Sequence, residues 1–191
     1  CNLTNALVSL GLQDEGLARA KQAVALMPGA HLAWRALGNA LSYHQDVSGP
    51  ALLDAYRGVG RTMPRTPPLP FANIRDPARR LRIGLLSPTL KTHPVGWLTV
   101  AGFEALDPDV FDLVCLGSPE SNDPIQRRFR AAAAEWHVVD TETPAPLAQR
   151  IRDLNIDILI EMSGYGDRGL IAACAYRPAP VQIKWVGMQN H

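Results

Sequence analysis

Leu81-Arg82-Ile83-Gly84-Leu85-Leu86-Ser87 reads as a short apolar strand that runs straight into a Pro-containing loop, Ser87-Pro88-Thr89-Leu90-Lys91-Thr92-His93-Pro94-Val95-Gly96. From this point the periodicity of the chain changes. A helix is expected over about 96–106, a strand over 111–116, a helix over 125–133, a short strand over 136–139 and a helix over 144–154. A near-continuous apolar strand over 156–162 leads into Ser163-Gly164-Tyr165-Gly166, and a helix near 170–175 precedes a strand over 181–185. Strands alternating with helices argue for a parallel sheet covered on both faces, with ligands at the carboxyl ends of the strands. That rule points to three loops, 87–96, 162–168 and 187–191.

Before Leu81 the pattern is helical and repetitive. Trp34-Arg35-Ala36-Leu37-Gly38, followed by Leu41, matches the opening of a TPR helix pair. A shift of about 34 residues, the period of that repeat, lands Leu37 on Leu3 and Leu41 on Leu7. The earlier unit continues through Gly16, Ala20 and Ala23, whose small side chains let two helices approach closely, and closes at Pro28-Gly29. The second unit needs about two extra residues before Tyr56 and Pro64 fall in register, which suggests an altered final repeat. A generic antiparallel helical bundle would share the alanine-rich amphipathic pattern. Two units do not make a stable solenoid, so further repeats are expected before Cys1.

Residues 1–64 are therefore expected to be the end of a TPR-type array, 65–80 a proline-dense, semi-rigid linker, and 81–191 an α/β lobe. Both termini read as cut from something longer. Arg79, Arg80 and Arg82, beside the first strand, read as a solvated edge.

Among 191 residues the hydrophobic share of 47% is ordinary for a globular protein, and the charged share of 19% is a little low. A formal net charge of +1 makes no electrostatic case for nucleic acid or an anionic membrane. No apolar stretch is long enough to cross a bilayer as a helix. Cys1, Cys115 and Cys174 are too scattered for a disulfide framework or a zinc site, and a reduced, cytoplasmic setting fits them best.

His93 is the histidine placed at a strand-to-helix turn. The helix N-terminus beside it suits a phosphate, and the ring could act as acid or base or donate to an anion. The alternative is a loop histidine that satisfies local backbone groups. His137 reads as structural, and His31 and His44 as lying on solvated or interhelical faces of the repeats. Asp157 and Glu161 flank one strand at opposite ends, so they are no acid/base pair, and Glu161 is the better ligand candidate. Tyr165 and Arg168 follow in a Gly-punctuated loop. No GxGxxG, GxSxG, Walker loop or metal-spaced His/Cys/Asp set is present.

Three blocks carry a more specific signal: Ser87-Pro88 through Thr92-His93-Pro94-Val95-Gly96, Asp157-Ile158-Leu159-Ile160-Glu161-Met162-Ser163-Gly164-Tyr165, and Arg177-Pro178-Ala179-Pro180-Val181-Gln182 with Trp185-Val186-Gly187. In this order, after a TPR-like region, they resemble the protein O-linked N-acetylglucosamine transferases and their bacterial homologues. The resemblance implies the first, Rossmann-like half of a glycosyltransferase-B fold. It also implies an inverting, metal- and cofactor-free transfer of N-acetylglucosamine from UDP-GlcNAc to Ser or Thr hydroxyls, with the repeats around Trp34 recruiting protein acceptors. His93 matches the family's active-site histidine. Pro94, Gly96, Glu161 and Tyr165 fall in the matching loops near the donor, and Gly187 matches the start of the Gly-rich turn.

Some positions depart from the family pattern. Thr89 stands where many members carry Asp, Trp97 where some animal members carry a second His, and Asp157 where the animal enzymes carry His. Met188-Gln189-Asn190-His191 replaces an aromatic-Pro-Gly-Thr-type turn. SPINDLY-like relatives bring in GDP-fucose as an alternative donor, and a non-catalytic TPR adaptor is the alternative of another class. The isolated 191 residues, lacking a donor-side lobe, are expected to be inactive.

Overall fold

A computed structural model of the chain describes residues 1–64, 70–76, 78–139, 142–163 and 170–187. Tyr165, Arg168, residues 188–191 and the proline-rich 65–69 lie outside the described residues. Two compact units are present, one made of Cys1–Pro64 and one of the residues that follow.

The first unit is four helices: α1 (Asn2–Ser9), α2 (Gln13–Leu26), α3 (His31–Ser42) and α4 (Gly49–Arg61). Each packs on the next, and α1 also touches α3. Close approach follows from small residues, since a Cβ on Gly16 would stand 2.9 Å from Val8 Cγ2 and Ala20 is fully buried. Asn39 Nδ2 donates to Asn5 Oδ1 at 3.1 Å, joining positions 34 residues apart on α3 and α1. The Trp34 ring packs on Gly58, its Nε1 donates to the Pro28 carbonyl at 2.7 Å, and Arg61 lies over it at 5.2 Å. His31 and His44 are interhelical, bonded to Thr62 and Asp14 respectively.

The second unit is a five-stranded parallel sheet. Its strands are β1 (Leu81–Leu86), β2 (Phe111–Gly117), β3 (Glu135–Val138), β4 (Ile158–Glu161) and β5 (Val181–Lys184), in the order β3-β2-β1-β4-β5. Helices α5 (Pro94–Glu104), α6 (Pro124–Ala132) and α7 (Pro144–Asp153) connect them, with a 3-10 helix at Leu170–Tyr176 where an ordinary helix was expected. Alternation along the strands supplies both faces. Ile83, Leu85, Leu113 and Cys115 join Val95, Val100, Phe103 and Phe129 under α5 and α6. Leu86, Val114, Leu116 and Leu159 join Leu147, Ile151, Leu170 and Ala173 on the other face. Connections leaving β1 and β2 thus cover one face, and those leaving β3 and β4 cover the other. The strand order reverses between β1 and β4, which by the rule for parallel sheets sets the expected ligand crevice at the carboxyl ends there.

At the amino ends the expectation of a solvated arginine edge is corrected. Asp157, immediately before β4, is 7% exposed and takes both Arg79 nitrogens at 2.6 and 2.7 Å. It also accepts the Arg82 backbone N–H at 2.9 Å and the Asn73 amide at 2.7 Å. Arg82 pairs with Glu135 at 2.7 Å, so two of the three arginines are internal ties; Arg80 is the exposed one. His137, on β3, bonds the same Glu135.

Burial disfavours the charged form of Asp157, but the Arg79 guanidinium, the Arg82 N–H and the Asn73 amide outweigh it and hold the carboxyl below its usual range. A carboxyl depressed on folding stabilises the fold above its unfolded pKa, and that contribution is lost as pH falls through the folded value. Asp157→Asn is therefore expected to lower the urea midpoint at pH 7, with the difference from wild type shrinking below about pH 4. A difference independent of pH would show that the carboxylate charge is not what ties this end.

Candidate functional site

The loop between β1 and α5 is built before any ligand arrives. Leu90, 1% exposed, plugs it into the core. The Thr89 hydroxyl lies 2.7 Å from that of Ser87, and both are buried, so the residue that departs from the family's Asp is used inside the loop. The Pro88 carbonyl accepts from Ser118 Oγ at 2.9 Å, tying the loop to the end of β2. Asp123, the cap of α6, accepts three backbone N–H groups, those of Thr92, Ile125 and Gln126, each at 2.9 Å. Although burial opposes it, these bonds hold the Asp123 carboxyl below its usual range.

His93 is the cap of α5, which begins at Pro94, two residues earlier than expected. Its backbone is extended, its Nδ1 accepts the Val95 N–H at 3.2 Å, and Pro94 occupies the first helical position, where a missing N–H costs nothing. The imidazole thus takes one of the free N–H groups that were expected to be open to a phosphate. With Nδ1 accepting, a neutral ring carries its proton on Nε2 and presents a donor there, an assignment that follows from the hydrogen-bond network. Trp97, one turn on, is 57% exposed and Leu98 is 75% exposed, so apolar surface adjoins the histidine.

Gly96 is fixed by contact. A Cβ there would lie 2.0 Å from the Lys91 carbonyl oxygen, a backbone atom that cannot swing away.

Across the crevice, β4 ends in Glu161, Met162 and Ser163. Glu161 was expected to reach the donor, but it is 2% exposed. Its Oε1 accepts from the Ser163 N–H at 2.8 Å and from the Ser163 hydroxyl, and its Oε2 lies 3.1 Å from Lys184 Nζ. The carboxylate is an internal brace, because its charge is already compensated within the chain. Gly187 has φ +71°, and a Cβ there would stand 2.8 Å from the Met162 carbonyl oxygen and 3.1 Å from that of Ser163. Thus the end of β5, through Gly187, packs on the end of β4. Lys184 and Ser163 are the members of this group that reading the sequence missed. The signal was the pair of opposite charges at the ends of neighbouring strands. Trp34, in the region expected from the sequence to bind protein, contacts Pro28, Gly58 and Arg61.

Two substitutions on one helix test how α5 is held. Gly96→Ala is expected to cost about 2 kcal/mol in urea unfolding through enforced overpacking. Gly102→Ala, at a position with nothing within 4 Å, is expected to stabilise by about 0.5 kcal/mol. Equal effects at the two positions would contradict the contact between Gly96 and Lys91.

The family model of glycosyl transferase family 41 matches residues 62–190. SPINDLY of Arabidopsis thaliana, named a probable UDP-N-acetylglucosamine–peptide N-acetylglucosaminyltransferase, is 29% identical over 157 residues, 79% of this chain. Its namesake from Solanum lycopersicum is 28% identical over the same share. The chain spans only 17% of the length of either relative. A solved structure of a mutant Thermobaculum terrenum O-GlcNAc transferase superposes with a TM-score of 0.85 at 34% identity, over 98% of this chain and 36% of that one. A match across the whole sheet, its connecting helices and the loops at the crevice leaves one assignment: this chain belongs to glycosyl transferase family 41.

Proposed function

We propose that this chain is the end of a TPR-type array and the Rossmann-like, acceptor-side lobe of a protein O-glycosyltransferase. The parent protein transfers N-acetylglucosamine from UDP-GlcNAc to Ser or Thr hydroxyls with inversion and without a metal ion, and the helices around Trp34 recruit protein acceptors. The observation that carries this reading is the place of His93: it heads α5 on the loop leaving β1, at the switch in strand order, in a chain of family 41. The names of the relatives support the donor and the peptide acceptor. The helix pairing at a 34-residue offset, seen in Asn5 and Asn39, supports the repeat. A cytoplasmic setting goes with the free thiols of buried Cys115 and half-buried Cys174, each pushed by desolvation up to about 12. No helix among the described residues is long and apolar enough to cross a membrane.

In this reading His93 donates from Nε2 to an oxygen of the donor or acceptor rather than removing a proton, because its other nitrogen is engaged by Val95. Pro94 and Gly96 hold the ring at the crevice, and Glu161, Tyr165 and Gly187 act near the donor, Glu161 through the loop it braces. Departing diphosphate charge is met by oriented donors, since transition-state charge is stabilised best by groups already in place.

The test separates cap from chemistry. His93→Ala is expected to lose about 1 kcal/mol of stability with the cap. His93→Asn can still cap the helix, so it is expected to unfold near wild type. Both variants of the full-length protein are expected to lose transfer by about a hundredfold or more, measured by mass spectrometry with UDP-GlcNAc and GDP-fucose as donors. Transfer by His93→Asn near the wild-type rate would remove the ring from the reaction. Turnover with GDP-fucose alone would reassign the donor, and binding of neither nucleotide would favour the adaptor.

A further inference from the structure

We propose that the buried Glu161–Lys184 ion pair is a positioning element for the transfer site. It fastens the turn after β5 to the turn after β4 and so sets where the backbone of Gly187 lies. Its consequence for turnover rests on the transfer function proposed above; its structural part rests on geometry alone.

Glu161 and Lys184 are register partners on neighbouring parallel strands, each the last residue of its strand. The ammonium group of Lys184 donates hydrogen bonds to two carbonyl oxygens and makes an ion-pair contact with one carboxylate oxygen. It lies 3.1 Å from Glu161 Oε2, 3.3 Å from the Glu161 carbonyl and 2.7 Å from the Val186 carbonyl. The first two belong to the end of β4, the third to the turn after β5. The other carboxylate oxygen of Glu161 holds Ser163 by its N–H and its hydroxyl. One charge pair therefore reaches both turns.

The turn it holds is in an unfavourable conformation. Val186 has φ +51°, a left-handed backbone that a β-branched residue rarely adopts, and Gly187 follows at +71°. A Cβ on Gly187 would stand 2.8 Å from the Met162 carbonyl, so the two turns are in backbone contact. Strain of this kind persists only where the surroundings over-determine it. Here the Lys184 bond to the Val186 carbonyl lies on one side, and on the other the Trp185 ring meets Phe103 edge-on at 5.7 Å. Phe103 belongs to α5, the helix His93 caps, so the brace and the histidine share one support.

An apolar pair could fill the same space at similar stability. It could not direct a hydrogen bond at the Val186 carbonyl, and that bond is what the turn requires. β5 otherwise offers little to hold it, since Val181, Gln182 and Ile183 are exposed. The brace thus sits where the sheet edge is least constrained and where the crevice needs a fixed wall.

The experiment uses the full-length protein and two readouts. Lys184→Met is expected to lower kcat by about tenfold or more while the donor KM stays within about twofold, the pattern of lost positioning rather than lost binding. Amide exchange over 162–163 and 185–187 should rise by about tenfold in the same variant. Lys184→Arg, which keeps the charge, should recover most of both. The double variant Glu161→Gln with Lys184→Met leaves no lone buried charge, so it should fold normally and yet show the same losses. A folded double variant with wild-type kcat, or with unchanged exchange over 185–187, would overturn the proposal. If the wild-type protein transfers no sugar from any nucleotide, the transfer function falls, and the exchange result alone decides whether the pair holds the turn.

Discussion

A parallel sheet must be covered on both faces, because its crossovers place helices above and below and its strands then carry apolar residues on either side. In this chain that constraint falls hardest on β1, which lies between β2 and β4 and feeds side chains to both cores. The consequence is directional. With both faces closed by packing, chemistry is left the two ends of the strands. The connections after β1 and β4 depart to opposite faces, so the rule for parallel sheets places the ligand crevice at the carboxyl end.

The two ends are treated differently. At the amino end charge closes the structure: Asp157 gathers Arg79, Arg82 and Asn73 into one buried cluster, and Arg152 lies over Phe71 at 5.2 Å while bonding the carbonyls of Tyr176 and Arg177. Side chains from before β1 are thereby tied to residues that follow α7. At the carboxyl end polar groups serve loop shape. Ser87 holds Thr89, Asp123 holds Thr92, and Glu161 holds Ser163 and Lys184. Fixed loops beside a crevice are what positioning requires, since a misplacement of about 1 Å can cost two orders of magnitude in rate.

Alternating apolar runs were enough to read the sheet, and each expected strand appears within two residues of its place. That legibility has a physical source: burial on both faces imposes unbroken apolar runs. What sequence could not supply was partnership across long separations. Arg79 and Asp157 are 78 residues apart, and isolated arginines near a strand look the same whether solvated or paired. The start of α5 was misplaced because Pro94 was read as loop, although proline is at home in the first helical turn. Glu161 reads from the sequence as a ligand candidate near the carboxyl end of its strand, but its pairing depends on the register with Lys184, which only the pairing of β4 with β5 defines.

The cap and the candidate chemistry at His93 are one arrangement seen from two nitrogens. A helix start leaves N–H groups without partners, and here an imidazole, not the commoner hydroxyl or carboxylate, satisfies one of them. Serine or aspartate would cap as well, but the groups left over would sit beside the capping atom rather than across a rigid ring. Imidazole has a second nitrogen on the far side of a rigid ring, so capping with Nδ1 fixes where Nε2 points and which of the two bears the proton. The fold therefore fixes the ring through one nitrogen and turns the other outward. That arrangement suits a site that meets anionic oxygen, and it is held by the same loop that Asp123 and Leu90 keep in place.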